Sequence, residues 1–194
     1  KLLSLISLIK ETNLRRAIIS VWYLRKVFSN WVSVLFDVVS AKDTIKVVLR
    51  DSKTEGRCNL PCVKALTYLA MLDYDLSKLY FKDGKMYYNG SEVVQDLITI
   101  PLIICGFRRV GDEWYYHNLR FKEVGWSFFE TYCLKDYDID VKDREVVDIG
   151  ASLGDSAIWF AINGARHVYA FEPLPSVYQV ALENVKLNGL TDKI

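Results

Sequence analysis

The sequence has almost no net charge, few cysteines and no uninterrupted hydrophobic run, and each scarcity removes a class of protein. Twenty-five basic residues stand against 24 acidic ones, for a net charge of +1. No basic field therefore draws the chain to nucleic acid. Four cysteines, Cys58, Cys62, Cys105 and Cys133, are too few and too scattered for a disulfide scaffold. Free thiols in a reducing, cytoplasmic compartment are expected. Cys58-Asn-Leu-Pro-Cys62 has no third cysteine and no histidine cluster to complete a zinc site, so no metal is expected. Leu2 to Ile9 is apolar, but Ser4 and Ser7 interrupt it and no small-residue cleavage site follows; it is a poor signal peptide. Ala17 to Val39 is long enough for a membrane span, but Arg25, Lys26 and Asp37 would each cost about 2.5–3.5 kcal/mol near the bilayer centre. No span is expected.

What remains is a globular composition, 51% hydrophobic and 25% charged, able to bury a core. Residues 1–40 read as helical, with Ile18, Trp22, Leu24, Phe28, Trp31, Leu35 and Val38 on a broad apolar face. That face packs on its own domain, or lies on a membrane surface with Arg15, Arg16, Arg25 and Lys26 toward anionic lipid. Thr44–Arg50 reads as a strand, and a helix follows from about Pro61 to Leu72. Lys78–Asn89 reads as a hairpin turning on Asp83-Gly84. A second strand pair is expected around Leu102–Arg109 and Glu113–Leu119, then a short helix or bridge over Gly125–Leu134. His117, among Trp114, Tyr115 and Tyr116, reads as a surface or packed histidine rather than a base.

The chemistry concentrates in Glu145–Glu172. A buried-strand pattern, Val146-Val147-Asp148-Ile149, runs into Gly150-Ala151-Ser152-Leu153-Gly154. A helix from about Asp155 stops at Gly164, and a second strand, His167–Phe171, ends on Glu172. A strand, a glycine-spaced turn, a helix and a second strand closing on an acid make half of a nucleoside-binding α/β fold. Glu172 stands 24 residues after Asp148. That length sets the two carboxylates side by side at the carboxyl ends of neighbouring parallel strands, where one can accept from both ribose hydroxyls. A dinucleotide fingerprint would need a glycine where Ser152 stands, and a third glycine that has no counterpart. Asp148 would also repel a phosphate. S-adenosylmethionine (SAM), with an adenosine but no phosphate and with cationic sulfonium and ammonium groups, avoids both objections.

VVDIGASLGDSA, followed by YAFEPLPSVYQVALENVKLNGL, resembles the start of the SAM-dependent methyltransferase domain of the FkbM family. The likeness is strong over about residues 145–190 and looser through Phe128–Asp140. Ser152 departs from it, since asparagine is common there. The resemblance implies an α/β fold: the start of a Rossmann-like methyltransferase domain, its parallel sheet incomplete, over residues 141–194. An α+β N-terminal region over residues 1–140 precedes it. It implies Asp148, Gly150 and Gly154 around the methionine part of SAM and Glu172 on the ribose. The full cofactor-binding set is Asp148, Gly150, Ala151, Ser152, Gly154, Asp155 and Glu172. The methyl acceptor is expected to be a hydroxyl on a small molecule or glycan, and no general base can be named. Only two strands of the implied sheet fit before Ile194, so the chain is expected to be a fragment, inactive alone. The competing readings are an NAD(P)-linked oxidoreductase and a non-catalytic membrane-peripheral scaffold.

Overall fold

The computed structural model describes residues 21–194, which fall into two compact units divided between Ile104 and Cys105. The expectations attached to Leu2–Ile9, Arg15, Arg16 and Ile18 lie outside the described residues. No helix among the described residues is long and apolar enough to cross a membrane. The fold is mixed α/β, with three small antiparallel sheets and one parallel pair among those residues.

In the first unit, residues 21–27 are helical, but the helix expected to continue to residue 40 is broken at Phe28–Asn30. A second helix, α1, then runs over Trp31–Val39. The break has a clear cause in β1 (Ile45–Val48), which pairs with β2 (Glu55–Cys58) along one edge only. Its other edge is met by Phe28, which bridges Leu49, and by Asn30. The Asn30 amide accepts from Val48 N (2.8 Å) and donates to Lys46 O (3.0 Å), as a neighbouring strand would. Satisfying those backbone groups outweighs one turn of helix. Phe28 is fully buried, whereas Trp22, Val32, Phe36 and Val39 remain exposed.

Helix α2 (Leu60–Met71) starts where Pro61 suggests, capped by Asn59, whose side chain accepts from Cys62 N at 2.8 Å. Cys58 and Cys62 are buried free thiols at this junction. Burial, and then the neighbouring Cys58, push the Cys62 thiol well above its ordinary range. The expected hairpin is present as β3 (Leu79–Lys82) and β4 (Lys85–Tyr88), extended by β5 (Ser91–Val93). Asp83 and Gly84 both take positive φ at its turn.

The strand expected over Leu102–Arg109 is not one element. Thr99–Cys105 is a helix, α2's successor α3, and only β6 (Arg108–Val110) is extended. Asp96 opens α3 by accepting from the amides of Ile98 and Thr99. The run Ile100 to Ile104 is buried on every side. A short run that is apolar all round has no periodicity with which to tell strand from helix.

The second unit carries β6, β7 (Glu113–Tyr116) and β8 (Leu119–Phe121) as an antiparallel sheet. A short helix, Trp126–Phe128, then widens into a π-helical turn, Phe129–Leu134. Phe107, Tyr116, Phe121, Phe128 and Tyr132 form one aromatic cluster, with ring centroids 4.4–6.4 Å apart. Next come β9 (Glu145–Ile149), α4 (Asp155–Ile162), β10 (His167–Phe171) and α5 (Pro175–Leu187). β9 and β10 pair in parallel, with Asp148 opposite Ala170 and Ile149 opposite Phe171. Ala157, Phe160 and Ala161 of α4 pack with Val141, Ala165 and Val168 against the inner face of this pair.

One expectation is overturned outright. Cys105 and Cys133 are joined in a disulfide, with Cα atoms 6.0 Å apart, so only two of the four cysteines are free thiols. Sequence spacing carries no information about that approach; the chain must bring two residues 28 apart to within bridging distance. Closing a loop of this length is worth about 3–4 kcal/mol by restriction of the unfolded chain. Cys133→Ser is therefore expected to lower the stability of the second unit by about that amount in denaturant unfolding under oxidising conditions. An unchanged midpoint would show that the bridge adds nothing.

Candidate functional site at the glycine turn

The turn between β9 and α4 is built on one carbonyl. Gly150 N (2.8 Å) and Ala151 N (3.0 Å) both donate to Phe171 O, the last residue of β10. To curl back onto that acceptor the chain takes left-handed φ at Gly150 (+84°), Ser152 (+48°) and Gly154 (+86°). A β-carbon at Gly150 would meet nothing within 4 Å, so this side of the turn is open to an approaching ligand. At Gly154 the same atom would touch Ala181 of α5 at 3.5 Å. The first glycine therefore faces open space and the second faces a helix.

Glu172 closes the turn from the β10 side. Its Oε2 accepts from Ser152 N (3.0 Å) and its Oε1 from Leu174 N (2.9 Å). Asp148, near the carboxyl end of β9, accepts from Ser156 Oγ at 2.6 Å. Partial burial pushes the Asp148 carboxyl above its ordinary value, and the Ser156 bond offsets part of this. Asp148, Gly150, Ser152 and Glu172 are thus gathered at one end of the parallel pair. No basic residue occurs between Glu145 and Ile162.

Ala151 and Asp155 are placed differently. Ala151 is buried, and Asp155, only 2% exposed, turns into the protein. Its two oxygens accept from Ser127 Oγ (2.8 Å) and Thr131 Oγ1 (2.6 Å), while Tyr132 OH donates to its main-chain carbonyl at 3.1 Å. Asp155 ties the start of α4 to the π-helical turn. The sequence pattern alone did not disclose this, because Ser127 and Thr131 precede it by more than twenty residues. Ser156, adjacent in the motif, was in view in the sequence but only the structure makes it the partner of Asp148. Tyr137 also lies close enough to Asp148 and Asp155 for their charges to help raise its hydroxyl pKa, although burial contributes most.

Part of the chain is similar to known methyltransferases. The chain is 40% identical over 53 residues to protein arginine N-methyltransferase 1 of Saccharomyces cerevisiae, which is 27% of this chain and 15% of that protein. It is 43% identical over 51 residues to the ribosomal protein L11 methyltransferase of Carboxydothermus hydrogenoformans, 26% of this chain and 17% of that one. The chain thus spans about a sixth of the length of each of these curated relatives. No family model matches it. It contains a methyltransferase-like region.

The Asp155 network makes a pH prediction. Burial is the main force raising the Asp155 carboxyl above its ordinary value, and the nearby Asp148 charge adds to it. Native protein then holds the proton more tightly than unfolded chain, so this contribution to stability is full below about pH 4 and declines as pH rises through the raised native value. Asp155→Asn can keep both hydroxyl partners and should flatten that decline. Asp155→Ala leaves the buried Thr131 hydroxyl and the half-buried Ser127 hydroxyl without this acceptor and should cost about 1–3 kcal/mol. Denaturant midpoints measured from pH 4 to 8 test both, and an unaltered slope in the asparagine variant would remove Asp155 from the linkage.

Proposed function

We propose that the glycine turn binds S-adenosylmethionine and that the protein is a SAM-dependent methyltransferase of the FkbM type. Residues 141–194 then form the N-terminal part of a Rossmann-like domain, with residues 1–140 an α+β region preceding it. The methyl acceptor is a hydroxyl on a small molecule or glycan. The observation that carries this reading is the pair of carboxylates, Asp148 and Glu172, flanking a turn that has an open glycine and no basic residue. A pyrophosphate would be repelled there. The Ser152 N–H, an amide of the turn, is already given to Glu172. Both points weigh against a dinucleotide.

The residues present fit the cofactor. Each carboxylate oxygen of Glu172 accepts one backbone N–H and keeps capacity for a second donor, which suits the two ribose hydroxyls. Asp148 supplies negative charge beside the cationic end of the ligand, held in orientation by Ser156. Gly150 leaves room for close approach to the main chain. When bound, SAM supplies an activated methyl group on a sulfonium sulfur. The chain's own contribution is to fix that group in position and to exclude water from it.

Calorimetric titration of the full-length protein with SAM and, separately, with NADH decides between the two nucleoside readings. Binding of SAM without NADH is expected, and the reverse would overturn the proposal. Glu172→Ala should weaken SAM by about 1.5–3 kcal/mol, a loss of roughly 10- to 150-fold. Unchanged affinity would take Glu172 out of the site.

A further inference from the structure

Asn184 lies on α5, carries no contact to the open side of the turn, and is fully buried. Its amide is nonetheless bonded on three sides, each time to a main-chain group of a distant segment. Oδ1 accepts from Lys122 N (2.6 Å), and Nδ2 donates to Glu123 O (3.1 Å) and to Leu153 O (2.9 Å). One helical turn further on, Asn188 accepts from Arg120 N (3.0 Å) and donates to Arg120 O (2.7 Å). β8 pairs with β7 on one side only. Asn184, on the helix, and Asn188, at its C-terminal cap, therefore meet the backbone groups along its other edge and just beyond its end.

They differ in one respect. Asn188 serves the strand and its own helix, whereas Asn184 also reaches the glycine turn. Leu153 sits between Ser152, whose N–H is held by Glu172, and Gly154, against which Ala181 of the same helix is packed. The turn is thus fixed at residues 150 and 151 by Phe171, at 152 by Glu172, and at 153 by Asn184. Only the last of these ties it to the β8 segment.

We propose that Asn184 is a positioning residue for the cofactor site, setting the peptide at Leu153 so that the turn keeps its binding shape. The inference rests on the SAM reading of the same turn. A side chain that never touches the ligand would then control its affinity through one carbonyl. Asn188, which supports the same strand and does not reach the turn, is the internal control.

The test compares SAM affinity and thermal stability in the full-length protein, its Asn184→Leu variant and its Asn188→Leu variant. Both variants are expected to lower the melting temperature. Asn184→Leu should raise the SAM Kd tenfold or more, and Asn188→Leu should leave it within about twofold. Equal changes in Kd for the two variants, or none for Asn184→Leu, would overturn the proposal. Should Asn184→Leu fail to fold, Asn184→Ser, which leaves space for a water, takes its place. Hydrogen exchange of residues 150–156 is then the second readout. Faster exchange there than in the Asn188 variant supports the assignment, and equal exchange refutes it. If the parent protein binds no SAM, the cofactor reading itself has failed, and the exchange comparison still decides whether Asn184 holds the turn.

Discussion

A single acceptor, the carbonyl of Phe171, receives the first two amides of the turn that follows β9. It does so because β9 and β10 run in parallel with Ile149 opposite Phe171, so both strands end at the same level. Parallel pairing needs a crossover, and α4 supplies it with a face of alanines and Phe160 packed on Val168. Take away the register and neither Glu172 nor Asp148 arrives at the turn. A slip of one residue would turn Asp148 to the other face of the pair, away from Ser156. The candidate site is thus a consequence of strand register first and of side-chain chemistry second.

Asp155 shows how the site is joined to what precedes it. Burying a carboxylate is costly unless its oxygens are paired. Here two hydroxyls from the 126–134 segment pair them, and the first turn of α4 adds favourable main-chain dipoles. The same segment is held at Cys133 by the disulfide and at Tyr132 by the aromatic cluster. Three different interactions therefore converge on one irregular turn. A π-helical turn places Thr131 and Tyr132 so that one reaches the Asp155 side chain and the other its carbonyl.

The stretch from Glu145 to Leu187 was legible because local signals agree there: strand patterns, glycine spacing and helix stops all point to the same elements. The hairpin over residues 79–88 was legible for the same reason, through Asp83-Gly84. Elsewhere the local signals are absent or opposed. The run from Ile100 to Ile104 is apolar at every position, and only the capping role of Asp96 marks it as helix. The break at Phe28–Asn30 is invisible locally, because its cause is a strand edge almost twenty residues later. The disulfide depends on spatial approach alone, and the expectation of a reducing compartment, which rested on four free thiols, loses half of its basis. Within the site, Asp155 was recognised as part of the motif, but its inward direction depends on hydroxyls that the motif does not contain.

Three asparagines of this sequence serve strand edges. Asn30 meets β1, and Asn184 and Asn188 meet β8, each side chain supplying both a donor and an acceptor along an edge that lacks a neighbouring strand. An amide suits this role because it matches the peptide group it replaces, and no charge has to be buried with it. The β9–β10 pair is treated differently. Its inner face is covered by α4, while Val147, Ile149, Tyr169 and Phe171 point the other way, Ile149 with 85% of its surface exposed. Apolar residues on both faces are the composition typical of parallel strands. Two of the antiparallel sheets thus have one edge met by side-chain amides. The parallel pair, which builds the turn, instead carries an apolar outer face suited to packing.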